Sequence, residues 1–111
     1  AVVHRDTLVQ SLRFVSLFAS SKTHNVRISL SDEGLELYAS DPDKGEGKKL
    51  VPAEYDGPAV KAGYNYRYML DVLNVIDGDE VSLEVIDTLS PTLIRDSSHD
   101  DALFVVMPMR L

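Results

Sequence analysis

The sequence predicts an α+β domain in which two helices lie on one side of antiparallel sheets. Three observations carry that expectation. Apolar residues recur at helical spacing at Leu8, Leu12, Val15 and Ala19, and again at Met69, Val72, Leu73 and Ile76. Short alternating or apolar runs follow each of these stretches and are bounded by turn residues, as strands are. The resulting order is strand, helix, four strands, helix, three strands. It divides near Gly57 into β-α-β-β-β twice, an architectural echo without sequence identity, and segregated helices and antiparallel strands define the class.

The elements follow in order. Ala1 to His4 is apolar and β-branched, a short first strand. Asp6 is an N-cap candidate for a helix running to about Ala19. Phe14, Leu17 and Phe18 lie off its stripe, with Leu17 nearly opposite, so this helix carries more apolar surface than one core face requires. Arg5, Arg13 and Ser16 share a third, mostly polar side. Ser20 to Asn25 reads as a polar turn. Val26 to Ser31 alternates as a half-buried strand, Asp32-Glu33-Gly34 turns, and Leu35 to Ala39 returns as a hairpin. Ser40 to Lys49 reads as a charged, flexible loop, Leu50 to Tyr55 as a strand, Asp56-Gly57-Pro58 as a turn and Ala59 to Gly63 as a short strand. Asn65 caps the second helix, which reaches about Ile76. Tyr68 flanks its stripe, and Arg67, Asp71 and Asn74 share the opposite face. Asp77-Gly78-Asp79 stops it. Glu80 to Asp87, Pro91 to Asp96 and Ala102 to Met109 complete the strands.

The 111 residues fit one domain with a core of its own. With no cysteine there is no disulfide frame, thiolate metal site or cysteine nucleophile. No apolar run is long enough for a membrane helix. The chain begins at Ala1 without Met or a signal sequence, as a fragment or a processed chain would. The net charge of −7 disfavours a nucleic-acid binder held by bulk charge but leaves room for one locally basic face.

No pattern argues for catalysis. His4, His24 and His99 are scattered and none forms an i, i+4 pair. Asp77-Gly78-Asp79 lacks the remaining ligands of a calcium loop and serves as a helix stop. Lys44 to Lys49 is rich in glycine and lysine, but it lacks the P-loop spacing and its Ser or Thr. No nucleophile elbow is present. No cofactor or metal is expected. Arg5, Arg13 and Arg67 stand on faces opposite or beside the packing stripes, where they would either touch phosphates without reading bases or face solvent. Leu17 and Phe18 mark either a partner surface or a patch covered by a neighbouring loop.

The final stretch Phe104 to Leu111, FVVMPMRL, is apolar to its last residue, whereas termini are commonly polar and frayed. Pro108 ends the strand or confines it to an edge. Met107 and Met109 beside that rigid proline fit an adaptable binding surface, or they fill a core gap.

Two segments carry a family resemblance. The run YNYRYMLDVL from Tyr64 to Leu73 and the closing VVMPMRL from Val105 to Leu111 resemble the third, C-terminal domain of the bacterial DNA polymerase III beta subunits, the sliding clamps. The resemblance extends over essentially residues 1–111, although Ser40 to Pro58 matches only in pattern. It implies a DNA-clamp domain, a fragment of a longer chain, from a ring of two three-domain subunits that encircles duplex DNA in the bacterial cytoplasm. Such a ring has no catalytic site of its own. It confers processivity on the replicative polymerase and docks the short clamp-binding peptides of polymerase, clamp loader and repair proteins. Carried onto this sequence, the resemblance implies a peptide pocket at Asn65, Tyr68, Val105, Val106, Met107, Pro108, Met109, Arg110 and Leu111. Leu89 and Pro91 are implied as further wall, and Thr23 or His24 as rim. Leu17 and Phe18 fall at the subunit interface, and the helix arginines Arg5, Arg13 and Arg67 would face DNA. The alternative from another class is a stand-alone peptide-recognition module with no role on DNA.

Overall fold

Strand β1 (Val2–His4) leads without a linker into helix α1 (Arg5–Ser16). A computed structural model describes residues 1–97 and 99–109. After α1 come β2 (Asn25–Ser31), β3 (Gly34–Asp41), β4 (Gly45–Val51), β5 (Ala53–Glu54) and β6 (Val60–Asn65). Helix α2 (Tyr66–Val75) is followed by β7 (Glu80–Glu84), β8 (Thr92–Asp96) and β9 (His99–Val106). The strands form a five-stranded sheet in the order β5-β1-β7-β8-β9 and a four-stranded sheet in the order β4-β3-β2-β6. The pairing is antiparallel in both, and the α+β class is as expected.

Helix α1 starts one residue earlier than Asp6 would place it. Its N-cap is His4, which makes no side-chain cap bond. The Arg5 N–H, an orphan at a helix start, donates instead to the Asp79 carbonyl at 2.8 Å. Asp6 therefore sits in the first turn, where a carboxylate suits the helix dipole, and it pairs with Arg5 at 2.7 Å. The predicted stripe is buried throughout, and Val9 joins it. The helix closes at Ser16, and tighter i→i−3 bonds from Leu17, Phe18 and Ala19 carry the chain on for one more turn.

Two expectations in the middle of the chain are corrected. Ser40 to Lys49 is not a flexible loop. Ser40 and Asp41 end β3, and β4 begins at Gly45 and pairs residue by residue with β3 from Asp41↔Gly45 to Leu35↔Val51. The turn between them is short: the Asp41 carbonyl accepts from the Lys44 N–H at 3.1 Å, and its carboxylate accepts from the Asp43 N–H at 2.8 Å. Glycines and lysines have low strand propensity, yet exposed charge is how an edge strand such as β4 is normally protected. The predicted strand Leu50–Tyr55 is likewise two strands. Pro52 has no N–H to give a ladder; β4 ends before it, and β5 beyond it pairs with β1 in the other sheet.

The core lies between the helices and the two sheets. Leu8, Leu12 and Val15 of α1 and Met69 and Leu73 of α2 are buried with Val26, Ile28, Leu30, Leu35 and Leu37 of the four-stranded sheet and Val81, Leu83 and Ile94 of the five-stranded one. Arg5 ties the helices together through its Nε–H, which donates to the Leu73 carbonyl at 2.7 Å. One polar contact crosses the apolar interior: the buried Tyr64 hydroxyl of β6 is hydrogen-bonded to the buried Thr92 hydroxyl of β8. Burial pushes the Tyr64 phenol above its ordinary value, and the bond from Thr92 opposes that shift.

This bond makes a stability prediction. Tyr64→Phe or Thr92→Val alone leaves a buried hydroxyl without its partner and should cost about 1–3 kcal/mol. The double variant removes both polar groups and should cost less than the sum of the two. Urea denaturation of the three variants measures this; additive losses would mean that the two hydroxyls do not interact.

Candidate functional site

A groove of ≈ 570 Å³ opens between helix α2 and the chain that leaves β9, lined by Asn65, Tyr68, Asp71, Val72 and Val105 to Met109. Each wall has a local cause. Asn65 ends β6 and caps α2, its side-chain oxygen accepting from the Arg67 N–H at 3.0 Å. That cap fixes the first turn of α2. Tyr68, Asp71 and Val72 then follow Asn65 at helical spacing along one side of the helix.

The opposite wall comes from β9 and its continuation. Val105 and Val106 pair with Leu93 and Thr92 of β8. Alternation turns Val106 inward to be buried and leaves Val105 58% exposed. Pro108 then releases the chain from the five-stranded sheet. The Met109 N–H donates to the Gly63 carbonyl at 2.6 Å, a bridge to the outer edge of β6. The tail thus steps from one sheet to the other. Met107, in mid-step, is held between two anchors and is 62% exposed, while Tyr68 across the groove is also 62% exposed. An apolar trough rimmed by the Asn65 amide and the Asp71 carboxylate suits a ligand with apolar side chains and a few polar groups.

Of the expected pocket residues, Asn65, Tyr68, Val105, Val106, Met107, Pro108 and Met109 come together here. Arg110 and Leu111 lie outside the described residues. Leu89 and Pro91 are exposed in the β7–β8 connection and are not among the residues lining this groove. The turn that holds Leu89 is built on Asp87, whose carboxylate accepts from the Leu89 N–H at 2.8 Å, the Ser90 N–H at 2.6 Å and the Ser90 hydroxyl at 2.9 Å. These bonds, the Leu89 one foremost, hold the Asp87 carboxyl below the usual aspartate range. Their contribution is complete above the ordinary value of about 3.9 and is lost as pH falls through the lowered one. His24 adopts the left-handed conformation at φ 56°. It stands beside the α2 cap: its carbonyl accepts from the Tyr66 N–H at 2.9 Å, and its ring meets the Tyr66 ring edge-on at 5.7 Å. Thr23 lines a separate, polar depression of ≈ 280 Å³. Asp71 and Val72 line the groove in addition to the expected residues. Their i+6 and i+7 spacing from Asn65 is the signal that could have included them.

The remaining expected residues sit elsewhere. Leu17 is 66% exposed and Phe14 42% exposed. Phe18 is half-buried and packs on Phe14 edge-on at 5.6 Å. A Cβ at Gly47 would lie 2.1 Å from the Phe18 ring, so the ring rests directly on the β4 backbone. Arg13 and Arg67 are exposed on the two helices. The Arg5 side chain is only 20% exposed and is engaged by Asp6 and the Leu73 carbonyl. Among the described residues no group of His, Asp and Glu could hold a metal ion, and no helix is long and apolar enough to cross a membrane.

Residues 1–110 match a family described as "DNA polymerase III beta subunit, C-terminal domain". The beta sliding clamp of Pseudomonas aeruginosa is 34% identical over 107 residues, which is 96% of this chain and 29% of that protein. The beta sliding clamp of Vibrio cholerae is 31% identical over 106 residues, again 96% of this chain and 29% of the relative. A crystal structure of the P. aeruginosa sliding clamp bound to griselimycin superposes with a TM-score of 0.95 at 34% identity, covering 99% of this chain and 30% of that one. The chain therefore spans about three tenths of the length of the relatives it matches.

The tail bridge predicts a local protection pattern. The Met109 amide should exchange with solvent at least about tenfold more slowly than the Met107 amide, since only the former is bonded. Met109→Pro removes the donor and should release the tail, while Met109→Leu should leave it in place. Hydrogen exchange followed by NMR reads both. Exchange at Met109 as fast as in an unstructured peptide would mean that the anchor does not hold.

Proposed function

The chain belongs to the family formed by the C-terminal domain of the DNA polymerase III beta protein, and from that premise we propose that it is the third domain of a bacterial replicative sliding clamp. Sliding clamps are non-catalytic processivity factors. In this reading the domain docks short apolar peptides of partner proteins in the groove between Tyr68 and the tail. It forms one arc of a dimeric ring around duplex DNA.

The observation that carries the docking half is the exposure of Met107 and Val105 opposite Tyr68 on a tail anchored on both sides. A large apolar side chain held exposed between two anchored residues suits contact with a partner. Methionine adapts to differently shaped apolar partners, so one groove could serve polymerase, clamp loader and repair proteins. Leu89, Pro91, Arg110 and Leu111 extend this proposed pocket, and Thr23 and His24 its rim. Griselimycin, to which the P. aeruginosa clamp is bound in its crystal structure, serves as a probe for the proposed groove.

The ring half rests on the helices and the β4 edge. Leu17, Phe14 and Leu50 are exposed apolar residues near that edge, with Phe18 half-buried behind them. Such a patch suits a second copy of the clamp. Arg13 and Arg67 are free to approach phosphates without base readout. Arg5 lends its charge to that face while serving mainly as a tie between the helices. With a net charge of −7 overall, such contacts would be few and weak, as sliding requires, and sensitive to salt. The protein would act in the bacterial cytoplasm, where the chromosome is.

Two measurements test this. Griselimycin titrated onto the chain should perturb the resonances of Tyr68 and Met107, and Met107→Asp should weaken binding by about tenfold or more by placing a charge in an apolar contact. Unaltered affinity in Met107→Asp would remove the tail from the site. In the full-length clamp, Leu17→Asp should convert a dimer to a monomer on sizing chromatography and abolish retention on circular DNA. Leu17 is exposed, so folding should be preserved, and a variant that stays dimeric would overturn the interface.

A further inference from the structure

The polar depression beside the groove is built around an arginine without a charged partner. Its lining includes Ser20, Thr23, Asn25, Arg27, Tyr38 and Ser40. The Arg27 guanidinium stacks on the Tyr38 ring at 4.5 Å. Its Nε is sheltered from solvent without a hydrogen-bond partner, as is Asn25 Oδ1. Arg27 is in no ion pair among the described residues, although the chain carries 18 acidic side chains. Two carboxylates of the neighbouring strands are otherwise engaged: Glu46 accepts from the Tyr38 hydroxyl at 2.8 Å, and Glu36 pairs with Lys48 at 3.6 Å. Ser20 Oγ accepts from the Lys22 N–H at 3.1 Å and the Thr23 N–H at 3.5 Å, which leaves its own proton free to be donated.

Strand register links this depression to the groove. Lys48, Tyr38, Arg27, Gly63 and Met109 pair in succession across the four-stranded sheet. Directly paired residues project on the same face, so Arg27 and Met109 stand on one face with only Gly63 between them. Gly63 has no side chain to form a wall. Two residues along, and so on the same face, Asn25 of the depression pairs with Asn65 of the groove. Neighbouring strands are about 4.8 Å apart, so Arg27 lies roughly 10 Å from Met109, the reach of about three extended residues.

We propose that the depression is a second subsite of the peptide groove, which receives the carboxylate of an acidic side chain about three residues from the residue seated against Met109. The inference rests on the docking reading of the groove and adds a charge requirement to it. The carboxylate accepts from the Arg27 guanidinium, which lies over the Tyr38 ring, and from the Ser20 hydroxyl. An arginine stacked on an aromatic ring is already ordered, so less freedom is lost on pairing.

The test uses the chain as it stands and four synthetic peptides: acetyl-Leu-Leu-Ser-Ser-Glu-amide, its reversed sequence acetyl-Glu-Ser-Ser-Leu-Leu-amide, and the glutamine twin of each. In low salt, NMR titration should show one of the glutamate peptides binding about fivefold or more tightly than its twin, as a charge-assisted bond allows. The preference should vanish in Arg27→Gln and be partly retained in Arg27→Lys, with the Met107 shifts persisting in both. It should also fade in high salt. Equal binding by the twins, with Met107 still perturbed, overturns this inference and leaves the groove standing. No perturbation at Met107 with any peptide overturns both. If a duplex oligonucleotide, rather than any peptide, perturbs Arg27, the site serves phosphate and the inference fails.

Discussion

The Met109 N–H reaches the Gly63 carbonyl at 2.6 Å, and the groove depends on that bond. β9 is the last strand of the five-stranded sheet, and its pairing with β8 runs no further than Val106. Pro108 makes the departure possible by ending the ladder. The bridge makes it definite by giving the tail a second sheet to join. A segment pinned at Val106 and again at Met109 can keep Met107 exposed without being mobile. The Tyr64–Thr92 bond beneath the same crossing joins β6 to β8, so both sheets meet the tail in a fixed relation.

The fold was largely legible because its helices obey simple periodicity. The buried residues of α1 and α2 are nearly those of the predicted stripes, and Asn65 is the cap that its position before Tyr66 implied. The failures share a cause. Gly45 to Lys49 resembles a loop in composition, and it becomes a strand only because β3 lies alongside it. Local propensity gave way there to tertiary pairing. The start of α1 moved to Arg5 for a similar reason, since the group that accepts its first N–H is the carbonyl of Asp79, far away in sequence. The division of Leu50–Tyr55 could have been read from Pro52 alone.

The site was legible through motif resemblance more than through pattern. FVVMPMRL advertises an unusual terminus, but nothing local says that Met107 faces out while Val106 faces in beyond the alternation itself. Val72 belongs to the core stripe by periodicity, yet it is half-buried and shared between core and groove. A helix residue at the boundary of a stripe can serve both. The depression around Arg27 left no linear signature: Ser20, Arg27, Tyr38 and Ser40 meet only through the register of β2 with β3 and the turn that precedes β2.

Phe18 and Leu17 show how two adjacent apolar residues can meet different surroundings. The Phe18 ring occupies the space that a side chain at Gly47 would need, and it packs edge-on against Phe14. This half of the surplus apolar surface of α1 therefore works inward, closing the gap between the helix end and the edge strand. Leu17, one residue earlier, points to solvent. On a helix, neighbours in sequence are about 100° apart, so two adjacent apolar residues at a helix end can serve opposite purposes. The same reasoning separates the arginines. Arg5, tied to the Leu73 carbonyl and Asp6, is committed to holding α1 on α2, and its loss would disturb the fold before it disturbed any ligand. Arg13 and Arg67 are exposed on the helices they belong to, so a change at either would act on a surface contact and leave the packing beneath unaltered.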